Sequence, residues 1–203
     1  MRWELHLALA EQRTISLAPT KLRADARRNR DRLIEVAADA FAQKGAEASL
    51  EYIARQAGVG IGTLYRHFPT REHLVEVVYR RELEGLAAAA IELSQKYAPD
   101  AALEEWMRRF VNYIATKRGM SNSLRILMTS NSSLFADSSG LLRGALGSLL
   151  EKAAEQGLIR KDMETMDVLH ALSSIYSIPD AADWRDRSHR LIGLLMDGLR
   201  CHK

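Results

Sequence analysis

The chain is expected to be all-α, on three observations. Only four Pro and twelve Gly interrupt 203 residues rich in Ala, Leu, Glu and Arg, a composition that favours helices over a turn-rich β fold. Apolar residues recur three and four positions apart, the spacing of one helix face. Nothing alternates with period two for long enough to make a strand, and no internal repeat is visible.

Asp25 to Lys44 reads as the first helix, with Leu33, Val36, Ala37, Ala40 and Phe41 on one stripe. Lys44 suits the negative end of the helix dipole, and Gly45 can close the helix in the left-handed conformation. Ser49 caps the next helix, Leu50 to Ala57, while Glu51 favours its positive end. Tyr52 stands where a full capping box would carry Glu or Gln, so the box is incomplete. Gly58 stops this helix. A short one follows from Ile61 to Phe68, Pro69 ends it, and Thr70 caps a long helix reaching Tyr97.

The rest is helical by the same pattern. Asp100 to Lys117 carries Leu103, Met107, Phe110, Val111 and Ile114, and Ser121 to Met128 is shorter. Thr129 to Ser139 reads as a polar loop. Leu141 to Gln156, Met163 to Tyr176 and Ala182 to Arg200 complete the set, punctuated by Gly157 and Pro179. Residues 1–24 contain Trp3 and several Leu but no clear role, and are expected to be a disordered N-terminal extension. Residues 25–69 and 70–203 then form two helical domains.

Composition excludes several function classes. With 47% hydrophobic and 27% charged residues the chain is globular rather than disordered. Its one Cys, Cys201, rules out a disulfide framework and a Cys-based structural zinc site, so a reduced cytoplasm is the expected compartment. No apolar run approaches the ~18 residues of a membrane span. Glu4 and His6 interrupt the apolar start, and no cleavage site follows, so no secretory signal is expected. His67 and His73 do not share a helix face, and Glu104 and Glu105 are adjacent and solvated. Gly58, Gly60 and Gly62 follow a helix rather than a strand, which argues against a phosphate loop. No enzyme, metal or cofactor is expected.

Charge is unevenly placed. Residues 1–70 hold eleven Lys and Arg against eight Asp and Glu, whereas residues 71–203 hold eighteen of each. Arg13, Lys21, Arg23, Arg27, Arg28, Arg30 and Arg32 oppose only Asp25 and Asp31 in one early stretch. This suits a segment that approaches a polyanion; a solvated helix face would account for it equally well.

Ala54, Gly58 and Leu64 supply the next constraint, at i, i+4 and i+10 across a helix–turn–helix. Ala54 is small where the helices cross, Gly58 supplies positive φ in the turn, Leu64 plugs the angle, and Val59 fills the turn from beneath. Short helix pairs in bundles can imitate this spacing. The longer run LEYIARQAGVGIGTLYRHFPTREHL, residues 50–74, resembles the DNA-binding segment of the TetR family of bacterial transcriptional regulators. Its most diagnostic part is Gly62 to Leu74, and Arg27 to Gly45 resembles the first helix of the same domain. The close resemblance covers residues 25–85; beyond them, length and helical character suit the family's variable C-terminal domain.

The resemblance implies a recognition helix in the major groove, opened by Gly60 where the family commonly has Ser. Gly is a tolerated cap at a cost of ~0.3 kcal/mol, though it removes one phosphate-facing hydroxyl. Ile61, Gly62 and Arg66 are then base-proximal, Arg66 suited to a bidentate pair with guanine and Ile61 to a thymine methyl. Thr63, Tyr65, His67 and Arg71 would donate to phosphates, and Ser49 and Tyr52 would approach the backbone from the preceding helix. Arg27 and Arg30 would track phosphate or reach an adjacent groove. Tyr65 and His67 also fit as core-edge residues, and Arg71 as a salt-bridge partner of Glu72 or Glu76.

The same resemblance implies a homodimer through the last two long helices, with Met166, Leu169, Ser173, Tyr176, Leu191 and Leu195 as interface candidates. It implies a small-molecule effector bound between the Thr70–Tyr97 helix and the middle helices, lined by Trp106, Phe110, Tyr113, Leu124, Met128, Phe135 and His170. These residues would equally fill any helical core, and His170 reads more readily as a satisfied core histidine. The implied whole is a repressor released from a palindromic operator in double-stranded DNA. Its rivals are a regulator that binds constitutively or activates, and a helical carrier or enzyme with a vestigial DNA-binding head.

Overall fold

A computed structural model describes residues 4–130, 133–179 and 182–201, with side chains from residue 23 onward except 130–137. Among these the chain is helical throughout: α1 (Glu4–Lys44), α2 (Leu50–Gln56), α3 (Ile61–His67), α4 (Arg71–Lys96), α5 (Pro99–Gly119), α6 (Ser121–Ser130), α7 (Ser133–Glu155), α8 (Thr165–Ser173) and α9 (Trp184–Leu199). A single isolated antiparallel bridge, Ile159 to Arg200, ties the end of α9 to the segment after α7.

The local signals act as expected. Ser49 Oγ accepts from the Tyr52 amide at 3.1 Å, and Thr70 Oγ1 accepts from the His73 amide at 3.1 Å. Gly45 and Gly58 take φ of 59° and 70°, the left-handed conformation that closes α1 and turns α2 into α3. Leu33, Phe41, Ile53, Leu64 and Phe68 are fully buried, so α1, α2 and α3 share one core that continues into α4 through Leu74 and Val78. In the body, α4 and α5 pack against each other and against α7. Trp106 lies between them and donates its Nε1 hydrogen to the Leu86 carbonyl at 2.8 Å.

Three segments depart from the sequence reading. Helical backbone begins at Glu4 rather than Asp25, so most of the extension expected at residues 1–24 is continuous with α1; residues 1–3 lie outside the described residues. Glu4, Leu5, Leu7, Ala8 and Leu9 are good helix formers, which the expectation of disorder underweighted. The loop expected at 129–139 is largely helical, because α6 runs to Ser130 and α7 starts at Ser133. Burial of Leu142, Leu146 and Leu149 on α7 against the body supplies what the serine-rich start lacks in propensity. The Met163–Tyr176 segment also changes character, tightening into a 3-10 helix at Ser174–Ser177, where Ser174 Oγ donates to the Ala171 carbonyl.

The head formed by α1, α2 and α3 approaches the rest of the chain closely at the end of α5. A Cβ on Gly119, at the end of α5, would lie 2.0 Å from the Phe41 carbonyl oxygen and 3.1 Å from Gly45 Cα. Only glycine allows the backbones of α1 and α5 to come this near.

Candidate nucleic-acid interface

The helix–turn–helix is built from very few residues. Val59 N–H donates to the Ala54 carbonyl at 3.0 Å and Gly58 N–H to the Arg55 carbonyl at 3.1 Å, which closes the turn. Ala54 is 2% exposed at the crossing and Leu64 is fully buried beneath α3. With one face of α3 fixed by Leu64, its other face is presented outward. Ile61, Gly62, Tyr65 and Arg66 are exposed, and Thr63 and His67 are half-buried at the margins. Gly60 begins the helix with extended backbone and no side-chain cap.

The flanking residues separate into outward and inward sets. Arg27 and Ser49 are exposed. Arg30 is half-buried, its guanidinium 5.5 Å from the centre of the Phe68 ring, so it braces α1 on the end of α3. Tyr52 is half-buried between two cations, Lys44 Nζ at 4.6 Å and the Arg55 guanidinium at 5.7 Å from its ring centre. Neither cation was assigned from sequence; the Tyr52–Arg55 spacing of three was the available signal. His67 stacks obliquely on Phe68 at 6.2 Å, the core-edge placement weighed above.

Arg71 is turned inward. Its Nη1 donates to the Ala48 carbonyl at 2.6 Å, and its guanidinium lies 5.1 Å from the centre of the Phe41 ring. It pairs with neither Glu72 nor Glu76; Glu76 is held by Arg80 at 3.1 Å. Ala48 is fully buried, so its carbonyl needs an internal donor, and this need captures the side chain expected at phosphate.

The residues expected to line an effector pocket are divided by the fold. Trp106, Phe110 and Tyr113 are between 0 and 4% exposed and pack ring against ring, with centroids 5.6–5.9 Å apart. Tyr113 OH donates to Tyr79 OH at 3.3 Å, and burial, with Tyr79 beside it, pushes the Tyr113 phenol well above its ordinary value. These side chains pack against one another inside the body. Leu124 and Met128 border a cavity of about 420 Å³ with Lys117, Arg125 and Tyr176. The Phe135 side chain lies outside the described residues. His170 is exposed, not a core histidine, because Val168, Leu169 and Leu172 occupy the inward face of α8.

The interface candidates divide likewise. Leu169 is 5% exposed and belongs to the protomer's own core, since it follows Val168 on that inward face. Met166 and Leu195 are half-buried, while Ser173, Tyr176 and Leu191 are exposed. Leu191 and Leu194 rim an apolar groove of about 370 Å³ with Met163, Leu195 and Ile175. Among the described residues no cluster of His, Cys, Asp and Glu could hold a metal ion, and no helix is long and apolar enough to cross a membrane.

Comparison with known proteins places both halves. Residues 33–78 match the model described as bacterial regulatory proteins, tetR family, and residues 98–201 match that of the transcriptional regulator SbtR-like C-terminal domain. A TetR transcriptional regulator from Streptomyces coelicolor is 41% identical, with a TM-score of 0.77, over 86% of this chain and 99% of that one. A TetR transcription regulatory protein from Mycobacterium vanbaalenii is 33% identical, with a TM-score of 0.70, over 89% and 99%. An HTH-type transcriptional regulator of Staphylococcus aureus is 42% identical over 64 residues, which are 31% of this chain and only 35% of that protein.

Proposed function

The chain belongs to the TetR family of bacterial transcriptional regulators, which are not enzymes, and from that premise we propose that it is a ligand-responsive repressor acting as a homodimer on a near-palindromic operator. The observation that carries this reading is the presentation of α3. Leu64 is buried beneath the helix while Ile61, Gly62, Tyr65 and Arg66 face outward, so a rigid scaffold offers side chains suited to base edges. Exposed Arg27, and Arg55 beside Tyr52, would supply salt-dependent attraction to phosphate.

The dimer is supported by the apolar groove on α8 and α9. Leu194 is 70% exposed and Leu191 40%, a continuous apolar surface of the kind that soluble chains cover with a partner. Two copies joined there would set two α3 helices in successive major grooves, ~34–36 Å apart. An effector would release DNA only if it binds better to the arrangement in which that spacing is lost.

Genome-wide selection of DNA fragments by the purified protein at near-physiological salt tests the reading. An inverted-repeat motif is the expected result, and its loss on adding an effector would mark a repressor. Weak, salt-sensitive, sequence-blind binding would overturn it.

A further inference from the structure

A further space lies away from the packed body core. The end of α1 and the 3-10 turn after it meet the end of α5 and the start of α9 around a cavity of about 750 Å³. Phe41, Tyr176 and Trp184 give it aromatic walls, and Lys44, Arg118 and Arg185 give it cations against one carboxylate, Glu47, among the lining residues. The Arg118 and Arg185 guanidinium groups sit 4.8 Å and 6.0 Å from the centre of the Trp184 ring. Arg185 Nη1 donates to a neutral acceptor, Asn112 Oδ1, at 2.8 Å. Trp184 itself is only 6% exposed, yet its Nε1 hydrogen has no acceptor among the described residues. Buried indole donors ordinarily find a partner, and among the lining residues three cations stand against one carboxylate.

We propose that this cavity binds a small molecule carrying an aromatic ring and a carboxylate. The ring lies against Tyr176 and Trp184, and the carboxylate is drawn to Arg185 and Lys44. Resting on the repressor reading above, the proposal makes this the effector site. The cavity adjoins a close backbone approach between α1 and α5, Gly119 against Phe41, and Gly119 and Phe41 both line it. Phe41 in turn carries Arg71, whose bond to the Ala48 carbonyl holds the entry to α2. An occupant therefore bears on side chains that set the tilt of the DNA-binding head.

The test follows the Trp184 indole N–H resonance of the full chain by NMR, assigned with Trp184→Phe. Benzoate, salicylate and phenylacetate are titrated to ~10 mM, beside benzamide and salicylamide, which keep the ring and lose the charge. At least one carboxylate is expected to shift the resonance, its amide counterpart to bind ~10-fold more weakly, and Arg185→Gln to weaken the carboxylate by a similar factor. Lys44→Gln serves as the second variant if Arg185→Gln does not fold. No shift with any of the three acids, equal binding of acid and amide, or affinity unchanged in the folded variant overturns the site. Sequence-blind DNA binding would defeat the repressor reading while the resonance still decides the site. Specific DNA binding whose affinity stays constant under a saturating acid would overturn the effector role.

Discussion

Gly119→Ala is expected to destabilise the protein through the contact between head and body. The added Cβ would lie 2.0 Å from the Phe41 carbonyl oxygen and 2.7 Å from its carbonyl carbon, both backbone atoms that no rotamer change can move. Ordinary contact requires about 3.4 Å or more, so α1 and α5 must separate by roughly 1.4 Å or the substitution must distort α5. Overpacking of this kind costs about 1–3 kcal/mol, and rigid backbone on the far side places it towards the upper end. For a chain of this length that lowers Tm by roughly 2–12 °C. Far-UV circular dichroism on heating, at fixed protein concentration because the Tm of any oligomer depends on it, gives the readout. Gly85→Ala is the control. Gly85 is exposed on α4, its added Cβ would meet nothing within 4 Å, and alanine there should add ~0.5–1 kcal/mol. A folded Gly119→Ala protein that melts within ~1 °C of the unsubstituted one would refute the argument that this contact is tight.

Four further substitutions separate the roles assigned above. Arg66→Ala should cost ~1–3 kcal/mol of discrimination at one operator position and leave salt-sensitive binding in place, which competition between operator and mutated operator would measure. Arg71→Ala should lower Tm, because the buried Ala48 carbonyl loses its donor at a cost of ~1–3 kcal/mol, while the salt slope of DNA binding stays constant; a slope reduced by about one at unchanged Tm would assign Arg71 to phosphate instead. Leu194→Glu should keep the helical signal but sediment as a monomer, and persistence of the dimer at equal concentration would remove the α8–α9 face from the interface. Glu82→Gln should raise stability at pH 7. Burial first, and Asp39 second, lift the Glu82 carboxyl above its ordinary value of 4.5, so the folded state holds that proton more tightly than the unfolded one. The favourable contribution is complete below the unfolded value and is lost as pH rises through the folded one. The advantage of Gln should therefore vanish in acid, and an advantage independent of pH would contradict this cause.

Much of the head was legible before any coordinates. Ser49 and Thr70 act within three residues of themselves, and Gly45 and Gly58 act through their own backbone, so short-range chemistry sufficed to place those boundaries. The α2–α3 unit depends on Ala54, Gly58 and Leu64 within one eleven-residue span, and all three do what their size and spacing imply. The placement of Arg71 was beyond such short-range chemistry. Its partner, the Ala48 carbonyl, is 23 residues away, and its need for a donor exists only once Ala48 is buried.

The body shows the same division. Periodicity identified apolar faces on α5, α8 and α9 but could not say which neighbour covers each one. Trp106, Phe110 and Tyr113 were therefore equally eligible as pocket lining or as filling until α4 and α7 closed over them. Leu169 and Leu191 were equally eligible for an interface until one turned into the protomer and the other away from it. By itself the sequence determined an all-α chain, its helix–turn–helix and its family, because these rest on local propensity, capping and a contiguous motif. Only the tertiary structure decided where Arg71 is held, why Gly119 must lack a side chain, and where the space beside Trp184 lies. Each depends on groups far apart in the chain, and it is their packing that creates the cavity, the captured cation and the close approach.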